Sequence, residues 1–252
     1  MQPRRTIHRL AGPAAATLIS AAAVAAISPA GAPAATIPAA AAASCVAWTG
    51  GQQPPDPGGT DQNNVLLGVA VLSPCNAWAV GDYDPAQAQI VHWDGASWTQ
   101  VPSPEPGTQA SLFGVKGTSS SDTWAVGVSV IGGVDQTLAL HWNGHTWGRV
   151  STPDPGGPGV SSSLVGVTAT SATNAWAVGV TAPGASAGAR AIIRTSTLIM
   201  HWDGSGWTRV PSPNAGISSQ LFAVASSSAG NIWAVGIFSD GESDHAFAVH
   251  CC

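Results

Sequence analysis

The sequence predicts an all-β fold, a β-propeller of four-stranded antiparallel blades with three full repeats and partial units at both ends. Three observations predict it. First, Trp-Ala-Val-Gly recurs with its tryptophan at Trp78, Trp124, Trp176 and Trp233, spacings of 46, 52 and 57 residues. Self-similarity at such a period is the mark of a repeat architecture. Second, the first three copies are followed by His-Trp-Asx-Gly-x-x-Trp: His92 to Trp98, His141 to Trp147 and His201 to Trp207. Third, each unit holds four short apolar runs between turn signals, with no room for a helix of ordinary length. Four antiparallel strands in about 40–50 residues is the size of one propeller blade.

Taken from the start, residues 1–34 read as an export leader. Arg4, Arg5 and Arg9 precede an apolar run over 14–27 that is short for a membrane span, and Ala32-Pro33-Ala34 is a small-residue cleavage pattern. Arg4-Arg5 leaves twin-arginine export open beside the general secretory route. Residues 35–44 are an Ala-rich tether. No second long apolar run follows, so the expectation is a secreted, extracellular protein with no membrane span. Cys45 is an alternative lipid-anchor site, against which the missing leucine three residues earlier counts.

After the leader, five cations (Lys116, Arg149, Arg190, Arg194 and Arg209) face 13 Asp and Glu, a net charge of −8. Such a surface repels phosphate backbones and excludes nucleic acid as a partner. Only 8% of residues are charged, while 30 Gly and 19 Pro supply turns, a composition that suits an exported β protein.

The folded part is expected over 45–252, with repeats at about 61–107, 108–158 and 159–213 and a partial unit at 214–252 completed by 45–60. Within each unit the runs are strands a to d. Strand a is Val65-Leu66-Leu67-Gly68-Val69, Leu112-Phe113-Gly114-Val115, Leu164-Val165-Gly166-Val167 or Leu221-Phe222-Ala223-Val224. Strand b is Trp-Ala-Val-Gly. Strand c leads into His-Trp, and strand d carries the second Trp. In strand c, two-residue alternation puts Leu138, Leu140 and Trp142 on one face and Ala139 and His141 on the other. Both faces are largely apolar, as stacking between blades requires. Asp94-Gly95, Asn143-Gly144 and Asp203-Gly204 open a four-residue c–d loop in which Gly accepts positive φ and the Asx side chain bonds local backbone. The flanking tryptophans then meet across the turn. The fragment around Trp48 looks like a lone strand d, and the last unit like a, b and c. They make four blades if the ring closes. The break at His250-Cys251-Cys252, where Trp is expected, also reads as a fragment of a larger ring.

At these residues the chain resembles the exported, Trp-rich β-propeller proteins of actinobacteria, mostly uncharacterised. Its hairpin Asp94-Gly95-Ala96-Ser97-Trp98 also resembles kelch and Asp-box blades. The resemblance spans about 45–250. It implies a propeller and leaves function open, because propellers host many activities.

Each candidate for chemistry has a structural counterpart. His92, His141, His201 and His250 share one position. They form a metal-binding ring of imidazoles, or each bonds a turn of its own blade, and repetition favours the second. No metal and no cofactor are expected. Asp94, Asn143 and Asp203 are turn formers. The second tryptophans are packing residues, with a sugar-stacking platform as the sharper reading. Cys45 and Cys75 fall on the rim of a–b and c–d turns and are expected to form a disulfide. Cys251 and Cys252 have no argued role.

Variation is more telling. From the Gly of Trp-Ala-Val-Gly to the His, the gaps are 11, 14, 22 and 14 residues. The b–c loops therefore change while the frame stays, and loops on a rigid frame carry specificity. On this rim the candidate binding residues are Asp82, Tyr83, Asp84, Asp135, Arg190, Arg194, Asp240, Glu242 and Asp244. No catalytic set emerges. The expected function is a secreted binding or scaffold protein that recognises a protein or glycan. The alternatives are an exported carbohydrate-active hydrolase or lyase with loop carboxylates, and a non-functional propeller fragment.

Overall fold

Trp-Ala-Val-Gly and its neighbours build four antiparallel sheets laid one on the next. The computed structural model describes residues 51–57, 59, 63–104, 107–153, 155, 157, 159–183 and 194–251. The expected leader, tether, Cys45 and Trp48 lie outside them. The described residues belong to one unit, Gly51–Cys252.

The first sheet is β1 (Asn64–Ser73), β2 (Asn76–Tyr83), β3 (Gln87–Trp93) and β4 (Trp98–Gln100). The second is β5 (Gln109–Ser119), β6 (Asp122–Ile131), β7 (Val134–Trp142) and β8 (Trp147–Val150). The third is β9 (Val160–Ser171), β10 (Asn174–Pro183), β11 (Ser196–Trp202) and β12 (Trp207–Val210). The fourth has three strands, β13 (Ser218–Ser228), β14 (Asn231–Ser239) and β15 (Asp244–Cys251). Each sheet is a meander in chain order. No helix occurs among the described residues. The fold is all-β, with the blades of a β-propeller.

The glycine of Trp-Ala-Val-Gly has a steric cause. Strand a bulges opposite it, between Leu66 and Gly68 in β1, and likewise in β5, β9 and β13. The bulge pushes a carbonyl toward strand b. A Cβ on Gly81, Gly127, Gly179 or Gly236 would stand only 1.9–2.0 Å from the oxygen of Val65, Ser111, Ser163 or Gln220. No side chain fits there, so the motif ends in glycine each time.

Alternation assigns the faces. Leu138 and Leu140 of β7 and Ala125 of β6 pack toward the first sheet with Trp78, Val80 and Ile90. Trp124, Val126 and Ala139 turn the other way, toward Leu164, Leu198 and Met200 of the third sheet. Val178 meets Leu221 and Ala234 of the fourth. Both faces of the inner sheets are thus apolar, as strand c foretold. No such cluster joins the first sheet to the fourth among the described residues.

Tryptophan is the key of each join. The Trp78 ring lies 4.4 Å from His92 of its own sheet, 4.9 Å from Trp142 and 5.2 Å, edge-on, from Trp147 of the next. Trp124 repeats this with His141, Trp202 and Trp207 at 4.5, 5.0 and 5.0 Å. Offset and edge-on aromatic pairs contribute about 0.5–1.5 kcal/mol beyond area burial. Among the described residues the fourth sheet has three strands and neither receiving tryptophan, Cys251 standing in the place of one. Trp176 accordingly keeps only its stack on His201 at 4.2 Å. Trp233 keeps only His250 and is 50% exposed.

Trp124→Ala is expected to cost about 3–5 kcal/mol of unfolding free energy in a denaturant titration. Trp233→Ala should cost a small fraction of that. Gly127→Ala should destabilise by at least about 1–3 kcal/mol although it adds one methyl group, because the neighbour it meets is backbone.

Candidate functional site

The repeated polar residues are engaged within their own blades. His92 Nε2 lies 3.0 Å from Asn76 Oδ1, His141 2.7 Å from Asp122 Oδ1, His201 2.7 Å from Asn174 Oδ1 and His250 2.9 Å from Asn231 Oδ1. An amide oxygen only accepts, so where Asn is the partner the tautomer that fits carries its proton on Nε2. Burial lowers the His92 pKa, and the Asp94 charge partly offsets this. Sequence reading missed the partner of each histidine. The signal was present: Asn76, Asp122, Asn174 and Asn231 all stand two residues before the strand-b tryptophan. Among the described residues no three His, Cys, Asp or Glu side chains converge as a metal site would need.

The c–d turns are built as their sequence implies. Asp94 Oδ1 accepts from the N–H groups of Ala96 and Ser97, both at 2.8 Å. Asn143 does the same for His145 and Thr146, and Asp203 for Ser205 and Gly206. The Ser205 hydroxyl and these N–H groups hold the Asp203 carboxyl down to a pKa of about 2. The flanking tryptophans meet across the turn, Trp142 and Trp147 at 5.9 Å. The strand-c tryptophan donates its indole N–H to an a–b turn carbonyl, as Trp142 does to Ser120 at 3.0 Å. Trp147 and Trp207 are buried, 5% exposed each, so they are packing residues and offer no sugar platform.

The a–b and c–d turns share one rim. Gly95 abuts Cys75, Gly144 abuts Ser121 and Gly204 abuts Thr173. Cys75 lies there as an exposed free thiol, and the disulfide expected with Cys45 is not seen among the described residues. Cys45 is outside the described residues. Cys251, at the end of β15, is also a free thiol.

The b–c loops lie at the other end of the strands with the links between sheets. Ala110 N–H donates to Ala86 O, and Ser219 N–H to Thr195 O. Here the structure corrects the loop reading. The added residues of the second unit lengthen strands: β6 and β7 are joined by Gly132-Gly133 alone. β10 ends at Pro183 and β11 begins at Ser196, and most of the added residues of the third unit lie outside the described residues. Asp82 and Tyr83 end β2, Asp135 lies in β7 opposite Val130, and Asp244 begins β15, so these four are strand residues. Asp84 is in the loop and accepts from the backbone and side-chain amides of Asn63 at 3.2 and 2.9 Å. Asp240 closes its own turn by accepting from Glu242 and Ser243 N–H and pairs with His245 at 2.9 Å, which holds its carboxyl well below the usual range. Glu242 and Arg194 are exposed, and Arg190 is outside the described residues. The eight described residues are thus distributed over all four sheets.

Beside the β2–β3 end lies a cleft of about 370 Å³ lined by Gln53, Pro54, Pro55, Asp56, Asn64, Leu66 and Gln89. Gln89 is 1% exposed and donates through Nε2 to Pro55 O at 2.9 Å. Its Oε1 has no partner among the described residues. Asn64 Nδ2 donates to Asp56 Oδ1 at 3.2 Å. Sequence reading gave Gln89 no role.

No protein-family model matches the chain, and no curated protein matches it. Among solved structures it is similar to one described as YCF48 bound to D1 peptide. That similarity has 12% identity and a TM-score of 0.34, over 72% of this chain and 81% of that one. An overlap this loose transfers nothing from that protein.

Asp135 is half-buried, and burial raises its carboxyl pKa. The folded state then holds a proton that the unfolded chain has released, which costs stability once the pH passes the ordinary aspartate range. Asp135→Asn should raise the thermal midpoint at neutral pH. The gain should vanish in melts taken below that range.

Proposed function

We propose that the chain is a binding protein whose stacked blades present the b–c rim to a protein or glycan outside the cell. One observation carries this reading. The repeated His and Asx side chains are spent on turns and on His–Asx pairs inside each blade, whereas the cleft at the β2–β3 end is lined by a buried amide whose oxygen has no partner among the described residues. Pockets that combine apolar walls with a few convergent polar groups are the default ligand sites. Leu66 and the two prolines supply the walls, and Gln89, Asn64 and Asp56 the polar groups. Amide and carboxylate side chains of this kind suit hydroxyls or peptide N–H groups. They do not suit phosphate, in keeping with the acidic charge of the chain.

The connection between β10 and β11, longest of the set in sequence, adds a second point of variation, with Arg194 exposed before β11. Cys75 and the c–d turns face away from the b–c rim. The leader read from residues 1–34 would deliver the chain outside the cell.

Immobilised chain screened against glycan and peptide arrays is expected to retain a ligand without converting it. Gln89→Leu should weaken that binding by about tenfold, or ~1.4 kcal/mol. Asp94→Asn on the far rim should leave it unchanged. Release of reducing sugar from an array glycan would overturn the reading in favour of a hydrolase.

A further inference from the structure

The large exposed apolar side chains among the described residues all lie at the two ends of the stack. Val65, Leu66, Leu67, Val69 and Val71 are on β1, and Phe222, Trp233 and Val235 on β13 and β14. Exposed apolar surface gathered in patches marks an interaction site.

The inner joins reveal how such surfaces are covered. Val115, Val167 and Val224 pair within their sheets with Ala125, Ala177 and Ala234, and Val69 pairs in the same way with Ala79. Val115 and Val167 are 8% exposed, packed on the sheet before them, whereas Val69 is 66% exposed. On the opposite face, Trp78 and Trp124 are 2% and 1% exposed beneath the sheet after them, whereas Trp233 is 50% exposed. β1 therefore carries the half of a join that takes a preceding sheet. β13 and β14 carry the half that takes a following one. These halves are complementary because the chain itself joins them three times, at β1 with β5, β5 with β9 and β9 with β13.

We propose that β1 of one copy of this chain docks on the outer face of β13–β15 of a second copy, head to tail. A second copy is the fitting occupant because it brings the matching half, and no core cluster joins the first and fourth sheets of one chain among the described residues. Ala79 and Val91 beside β1 are already buried, so β1 leads the contact. Ala223 stands where the other sheets have Gly68, Gly114 or Gly166. A Cβ at those glycines meets the next strand a at 2.9–3.1 Å, so the docked strand sits a few tenths of an ångström further out. The contact is heterologous, and it closes into a ring or lengthens into a filament.

Light scattering on the 252-residue chain over a dilution series tests this. The expected result is a particle mass above one chain that rises with concentration. Val69→Glu and Val235→Glu each place a charge on one half and should each give the mass of one chain. Mixed, the two variants should give two-chain particles and nothing larger, since each retains the half the other has lost. Circular dichroism checks that the variants keep their β signal, and Val69→Ser and Val235→Ser replace any that do not. A wild-type mass of one chain at every dilution overturns the proposal, including the case in which Trp233 fluoresces as a buried indole because its own chain covers it. Assembly that survives in either single variant overturns it too.

Discussion

A single tryptophan, wedged between the histidine of its own sheet and two tryptophans of the next, is what the stack depends on. It buries the largest side chain available at a place both sheets share. It also explains why the histidine must be fixed. An imidazole that supports one face of an indole has to hold its orientation, and the Asn or Asp two residues before the tryptophan holds it. The glycine three residues after the tryptophan lets strand a come close enough to complete the sheet. The motif is therefore one device, in which partner, wedge and clearance sit within six residues.

That device divides the blade between two tasks. The repeated Asx side chains and the strand-c indole N–H groups are engaged near the a–b and c–d turns, where carbonyls receive the indoles and Asx side chains close the hairpins. Strand ends at the b–c side repeat less strictly: Thr137 bonds Thr152 and Thr197 bonds Ser212, but the first unit has Ala88 in that place. These ends vary in length, and there the buried Gln89 keeps an oxygen unmatched among the described residues.

Much of this was legible from spacing alone. Alternation in strand c put Leu138 and Leu140 opposite Ala139 and His141, and the packing agrees, because a period of two leaves no other choice once both faces are covered. Asp94, Asn143 and Asp203 announced their turns through the glycine that follows. Less legible was the site. A count of residues between Gly and His cannot tell an added loop from two lengthened strands, so Asp135 looked like a loop residue and is a ladder residue. Gln89 escaped notice because only burial distinguishes it from an ordinary polar strand residue. The expected partner of Cys75 was a topological guess about rims: Cys75 stands on the a–b rim, and Cys45 lies outside the described residues.

The confinement of each His–Asx pair to one blade has an evolutionary reading. A segment that satisfies its own polar groups and exposes only aromatic and aliphatic joins can be copied in tandem without redesigning its neighbours. Duplication and loss of whole units then become cheap genetic events. On that reading, the spread from 46 to 57 residues between successive tryptophans marks where copies can differ without disturbing a neighbour.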